Sequence, residues 1–372
     1  MKEAIISAGM QQSPYVQRLY YLLCQGTLVE IIDTPIPTPK HGQVLIRVVA
    51  SGSNPKDWTF AEFFPPSNTG DDLAGYVEAV GDGVVEFRKG DRVAAFHEMM
   101  APHGSFAEYA IAWAHTTFHL PENVSFEDAA TIPLTAMTAA IGLFSNLRLP
   151  YPWHSEEDRP ETGPLVIYGA GAAVGSFAIQ LARKSGIHPL ICVAGQSKDH
   201  VESLIDRTKG DTIVDYRQGH DYVVEEIKKA LGGKKLRYAL DSVGDQGSDI
   251  ALGQVIEPTD ARLSIVRPFD RTKIPKTPGV VFPAGLALPT LHGVPDGVEV
   301  FWTAVGSVHG SEKHFGYVFF RYISLGLQEG WFKPHPKQIV PKGLHGLAEG
   351  LKNLRDGKAH SFKYVYRIAD TN

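Results

Sequence analysis

Between residues 27 and 130, apolar and polar positions alternate in short runs broken by Gly and Pro, the period-two pattern of strands with one buried face. The runs are Thr27–Ile32, Gln43–Ala50, Ala74–Val80, Asp91–Phe96 and Ala107–Ala112, and their frequent turns predict an irregular β-domain or barrel. From about residue 163 the pattern changes to apolar strands separated by helical periodicity. Strands are predicted at Leu165–Tyr168, Leu190–Ala194, Ile213–Tyr216, Tyr238–Val243, Leu263–Val266 and Val298–Val305. Between the first two, Val174, Phe177, Ala178, Leu181 and Ala182 share one helical face, and Gly186 follows as a stop. This is a βαβ unit, and its repetition predicts an α/β domain built on a parallel sheet covered on both faces. Leu147–Gly163 and Pro268–Pro295, rich in Pro with acidic residues or Gly, read as loops, the second either a solvated connection or a pocket wall. A helix is predicted over Glu312–Gly330 and a closing strand over Phe362–Arg367.

With 372 residues, 43% of them hydrophobic, the chain is long enough for about two cores. Its net charge of -5, with no block of one sign, argues against a nucleic-acid or anionic-membrane surface. Two cysteines, Cys24 and Cys192, exclude a zinc site built on cysteine and fit a reducing compartment. The apolar run Leu19–Cys24 is too short for a membrane span and lacks the order of a signal peptide, so the reading is a soluble, cytoplasmic protein.

Candidate chemistry begins at Gly169-Ala170-Gly171-Ala172-Ala173-Val174-Gly175, which joins the first parallel strand to the amphipathic helix through small residues. Backbone there can approach a pyrophosphate at a helix N-terminus. The spacing is one residue longer than the commonest fingerprint, but strand and helix stand where a dinucleotide site needs them. About twenty residues on, an NAD site carries Asp or Glu for the ribose hydroxyls. Here the next strand ends Gly195-Gln196-Ser197-Lys198, a hydroxyl and an ammonium suited to a 2′-phosphate, and NADPH is the expected cofactor. Ser197 is equally placed to cap a helix beginning at Lys198, a role compatible with phosphate binding.

Asn54-Pro55-Lys56-Asp57-Trp58, the run Gly70-Asp71-Asp72-Leu73-Ala74-Gly75-Tyr76-Val77-Glu78-Ala79-Val80-Gly81, then Lys89-Gly90-Asp91-Arg92-Val93, Gly104–Tyr109, Ala129–Pro133 and Thr138-Ala139 together resemble the medium-chain dehydrogenase/reductase superfamily in its zinc-free quinone oxidoreductase and enoyl reductase branch. The resemblance implies a GroES-like β-barrel catalytic domain, residues 1–128 plus 309–372, and a doubly wound Rossmann domain over 129–308. It further implies that Tyr216 stands near the 2′-phosphate, that Asp241, Ser242, Val243 and Val266 pass the ribose and nicotinamide, and that Thr138 lies close to the nicotinamide. A closer likeness, carried by the Pro-rich link and by Arg237-Tyr238-Ala239-Leu240-Asp241, is to the trans-acting enoyl reductases of fungal polyketide synthases. Gly171 departs from the Ser usual in those relatives, and Thr59 from the Lys found in many.

Zinc-dependent alcohol dehydrogenases of the superfamily place a cysteine where this chain has Asn54, so no metal is expected. His97, Glu98 and His103 do not restore a site, because the H-E-x-x-H pattern would need histidine at Ala101. Without a Lewis acid for an alkoxide, the easier acceptor is a C=C bond conjugated to a carbonyl, and Thr138, Lys56 or the amide of Asn54 are the candidate donors to the developing enolate oxygen. Each has a structural alternative: helix packing for Thr138, solvation for Lys56, a fixed turn for Asn54. The expectation is an NADPH-dependent reductase of an enone or enoyl thioester in polyketide metabolism, with an acyl carrier as a possible partner. The alternatives are a quinone reductase and an NADPH-binding protein without turnover.

Overall fold

The computed structural model describes residues 1–8, 27–61, 64–155, 157, 160–244, 247–266, 291 and 293–371. Cys24, the Leu19–Cys24 run and most of the 268–295 loop lie outside the described residues. The chain divides into two units: Met1–Leu134 with Gly306–Asn372 belong to the first, and the second begins at Thr135 and ends at Val305.

In the first unit, β1 (Lys2–Ala8) pairs antiparallel with β2 (Thr27–Asp33). Then follow β3 (Gln43–Gly52), α1 (Pro55–Ala61), β4 (Asp72–Val80), β5 (Arg92–Phe96), β6 (Tyr109–Trp113), β7 (Thr117–His119), α2 (Phe126–Ala129) and α3 (Pro133–Ala140), which from Thr135 onward belongs to the other unit. The second unit continues with β8 (Leu165–Tyr168), α4 (Ala173–Lys184), β9 (Leu190–Ala194), α5 (Lys198–Glu202), β10 (Thr212–Asp215), α6 (His220–Leu231), β11 (Tyr238–Asp241), α7 (Ser248–Gly253), β12 (Ala261–Ile265) and β13 (Val298–Trp302). The chain returns to the first unit with α8 (Lys313–Glu329), β14 (Lys337–Val340), α9 (Leu347–Arg355) and β15 (Lys363–Arg367).

The first unit's larger sheet runs β14-β15-β3-β4-β5-β7, with β6 also on β3. Its centre is β3, where Val44, Ile46, Val48 and Ala50 are buried. Register shifts against β4 at Leu45/Ile46 and Val48/Ala50 give the local bends that curl a sheet round its core. That core gathers Ile6, Ile46, Leu73, Val77, Phe106 and Tyr366.

The second unit's sheet is parallel with the order β10-β9-β8-β11-β12-β13. This is the doubly wound dinucleotide-binding order, with its switch point between β8 and β11. Val166, Ile191, Val193, Ala239, Leu263 and Ile265 form the continuous apolar strand core expected of a sheet covered on both faces. The segment Phe126–Asn146 is long and apolar enough to cross a membrane, but 89% of it is buried inside the fold, which makes it a core segment. Its last turn, Ile141–Asn146, is π-helical.

Several predicted strands overshoot their carboxyl ends. Tyr216 starts a 3-10 turn rather than ending β10, Ser242 and Val243 follow β11, Val266 follows β12, and β13 stops at Trp302. At each point the backbone turns out of the sheet to build a loop.

Candidate functional site

In the second unit, β8 delivers the chain to a glycine loop at the switch point. Gly169 has φ +76°, and a Cβ there would meet Ser242 Oγ at 2.5 Å and Val243 Cγ2 at 2.6 Å, so the loops after β8 and β11 touch where only glycine fits. The amides of Gly169 and Ala170 both bond Val193 O, and that of Ala172 bonds Gly169 O at 3.0 Å. Helix α4 starts after Ala172 with no side chain capping it. The first-turn N–H groups of Ala173, Val174 and Gly175 precede the intrahelical ladder, and they make the donor set an anion requires. The glycine cradle and uncapped helix fit the pyrophosphate of a dinucleotide.

The loop's other side is β9 and α5. Gly171 is buried, and a Cβ on it would overlap both Cβ and Oγ of Ser197. The absent side chain at 171 is thus a consequence of Ser197, whose hydroxyl makes no cap bond to α5. Gly195 lies as closely under Tyr216, where a Cβ would sit 2.6 Å from the ring. Tyr216 is half-exposed, and Lys198, next to Ser197 at the start of α5, is exposed. Arg217 is held by Asp215 at 2.5 Å, where the carboxylate gains from the guanidinium and its pKa falls. The structure thereby assembles Gly169–Gly175, Gly195, Ser197, Tyr216, Ser242 and Val243 into one neighbourhood.

Asp241 turns inward. It accepts from the amides of Val243 and Gly244, both at 2.9 Å, and from Ser248 Oγ at 2.6 Å, while burial pushes its pKa up. Ser242 Oγ lies 2.8 Å from Tyr168 O and 3.0 Å from Gly169 O. Both side chains therefore shape the loops after β8 and β11. Val266 donates its amide to Asp241 O at 2.7 Å and ties β12 to the same turn. Thr138 is buried on α3.

Asn54 and Lys56 belong to the first unit, at the start of α1, inside a buried cluster of charges. Lys56 Nζ donates to Asp57 Oδ1 at 2.7 Å and to Thr69 O at 2.5 Å and forms an ion pair with Asp71 Oδ2 at 2.5 Å. Burial opposes this ammonium, but Asp57 and Asp71 outweigh burial and raise its pKa. Asp71 also meets His97 Nδ1 at 2.8 Å, and Lys56 with His97 overcome burial to hold this carboxylate low. Asp57 is the weaker claimant: burial first, with Asp71 adding repulsion, pushes it up to about 6 despite Lys56. Two buried carboxylates sharing one ammonium are driven apart in this way.

Beside them, Asn54 donates its backbone amide to Asp57 Oδ2 at 2.7 Å and its side-chain Nδ2 to Asp72 Oδ2 at 2.8 Å. Its buried Oδ1 has no hydrogen-bond partner among the described residues. Asp72 pairs with Lys363 from β15, and its Oδ1 accepts from Leu134 N at 2.6 Å, capping α3 from outside. The site reading from sequence had named Asn54 and Lys56 but not Asp71, Asp72, His97 or Lys363. Three carboxylates close in sequence inside a β-rich run were the available signal, because buried carboxylates demand partners. Among the described residues, no group of three or more His, Cys, Asp or Glu is arranged to hold a metal ion.

With this geometry in place, the comparisons with known proteins are specific. Residues 40–122 match the family described as the alcohol dehydrogenase GroES-like domain. The trans-enoyl reductase fsr4 of Gibberella fujikuroi is 43% identical over 93% of this chain and 92% of its own. Among solved structures, the CurK enoyl reductase has a TM-score of 0.70 at 18% identity, covering 98% of both chains. The mycobacterial protein Rv1454c, solved with NADPH, has a TM-score of 0.69 at 20% identity over 98% of this chain and 99% of its own.

Proposed function

Since the chain belongs to the trans-enoyl reductases, within the medium-chain dehydrogenase/reductase superfamily, we propose that it is an NADPH-dependent, zinc-independent reductase of the C=C bond in an α,β-unsaturated carbonyl or enoyl thioester of secondary metabolism. The observation that carries the cofactor half is the glycine cradle beside a β9 end that bears Ser197 and Lys198 and no carboxylate. Bound there, reduced nicotinamide dinucleotide supplies the hydride. The α4 amides hold the pyrophosphate, and Ser197, Lys198 and Tyr216 surround the 2′-phosphate.

Addition of hydride at the β-carbon moves charge to the carbonyl oxygen, and the Thr138 hydroxyl is the donor assigned to that developing enolate. The other candidate donors, Lys56 and the Asn54 backbone amide, are already engaged within the first unit, which favours Thr138 for this role. An amide and a paired ammonium, where a metal would need free donors, support zinc independence. Within the same proposal, an acyl carrier of a polyketide synthase presents the thioester, and the protein works in the cytoplasm.

The test is isotopic. NADPH deuterated at the transferring position, incubated with enones and enoyl thioesters, should place the label on the β-carbon and leave the carbonyl intact. A label on a carbinol carbon would make the protein a carbonyl reductase and overturn the assignment.

A further inference from the structure

Helix α5 is fastened to α4 at a point that nothing in the glycine fingerprint requires. His200, one turn into α5, places Nε2 3.0 Å from the Oγ of Ser176 in the first turn of α4. Ser176 is fully buried, and its Oγ also lies 3.4 Å from Ala170 O in the glycine loop. Burial holds His200 below the ordinary histidine range, so the neutral ring and the Ser176 hydroxyl share one uncharged hydrogen bond at Nε2. On the other side of the same loop, Ser197 packs against Gly171. Two contacts thus tie α5 to the cradle, one steric at its start and one polar a turn later.

From this geometry we propose that His200 is a positioning residue for the 2′-phosphate end of the cofactor: by gripping Ser176 it holds α5, and with it Ser197 and Lys198, at a fixed distance from the pyrophosphate cradle. The inference rests on the NADPH reading above. The backbone hydrogen bonds that shape the cradle run among Gly169, Ala170, Ala172 and Val193 and involve no residue of α5. Loosening α5 therefore weakens what only NADPH uses and leaves what both cofactors share.

The measurement is direct binding of NADPH, NADH and adenosine 2′,5′-bisphosphate by calorimetry. His200→Leu should weaken NADPH and the bisphosphate by about three- to tenfold, the loss of one partly buried hydrogen bond, and change NADH by less than about twofold. Ser176→Ala should reproduce the NADPH-specific loss, with any further loss through its contact to Ala170 O shared by both cofactors, the double variant should lose no more than Ser176→Ala alone, and His200→Gln, which restores a hydrogen-bonding group, should recover most of the affinity. Ser176→Ala also keeps the test open if His200→Leu does not fold. Equal loss for both cofactors, no loss, or no recovery with glutamine overturns the role of His200 while leaving NADPH preference intact. A parent protein that binds NADH as well as NADPH overturns the underlying reading, and this inference with it.

Discussion

Replacing Gly171 by alanine tests how tightly the phosphate loop and α5 are fitted. The new Cβ would overlap two atoms of Ser197, both well inside the 3.0 Å that real Cβ contacts keep. Oγ can swing to another rotamer, but Cβ cannot, so either the loop or the start of α5 must move. Overpacking a close-fitted site costs about 1–3 kcal/mol, and a fixed atom in the clash argues for about 2 kcal/mol or more. For a domain of this size that corresponds to a fall of about 4–8 °C in Tm. Ser197→Gly removes the obstacle, so the cycle of Gly171→Ala, Ser197→Gly and the double variant should show a coupling of about 1–2 kcal/mol. The double variant should regain stability without regaining the Ser197 contribution to NADPH binding. An alanine at 171 that costs the same with and without Ser197 would refute the reasoning, because the clash would then not be its cause.

Lys198→Ala should weaken NADPH by about tenfold and leave NADH nearly unchanged in direct titrations, the low end of a charge-assisted contact because the side chain is exposed. Thr138→Val should lower kcat by about a hundredfold with little change in NADPH affinity, as a donor acting in the transition state does; equal loss of binding would deny it that role. Lys363→Met leaves Asp72 buried without its cation and should cost about 3–5 kcal/mol in denaturant unfolding. Asp57 gives a pH signature. Its folded pKa of about 6 lies above the unfolded value, so the folded chain holds this proton more tightly, and its contribution to stability falls as pH rises from about 4 to about 6, then levels off. Asp57→Asn should remove that slope, and an unchanged slope would assign it to another group.

The two units were legible to different degrees. Buried parallel strands such as Leu165–Tyr168 and Leu190–Ala194 are apolar throughout and announce themselves, and the Val174 to Ala182 face marks the helix between them. Where strands end, the same cue misleads: Tyr216, Val243 and Val266 continue the apolar run but lie in the turns beyond the sheet. In the first unit, β7 and β14 are too short to show an alternation, and β1 has no long apolar run. Contacts between distant residues leave no local pattern at all. Ser176 and His200 are 24 positions apart, and Asp72 and Lys363 are 291 apart.

That last separation matters for the proposed role of Thr138. Thr138 is fixed by α3, and the first turn of α3 is capped by Asp72 through Leu134 N. A carboxylate buried so completely can cap only if its charge is balanced, and the balance comes from Lys363 on the final strand and from the Asn54 amide. Loss of either partner would leave a buried anion without full compensation and able to move, and the helix start would follow it. In the proposed reading, the start of the helix that carries Thr138 thus rests on Asn54, Asp72 and Lys363, although none of them needs to touch a substrate. Substitutions at Lys363 should accordingly lower kcat alongside stability, whereas substitutions at Lys198 should act on cofactor affinity alone. If a Lys363 variant that remains folded at the assay temperature keeps full kcat, the chain from Lys363 through Asp72 to α3 does not position the Thr138 hydroxyl.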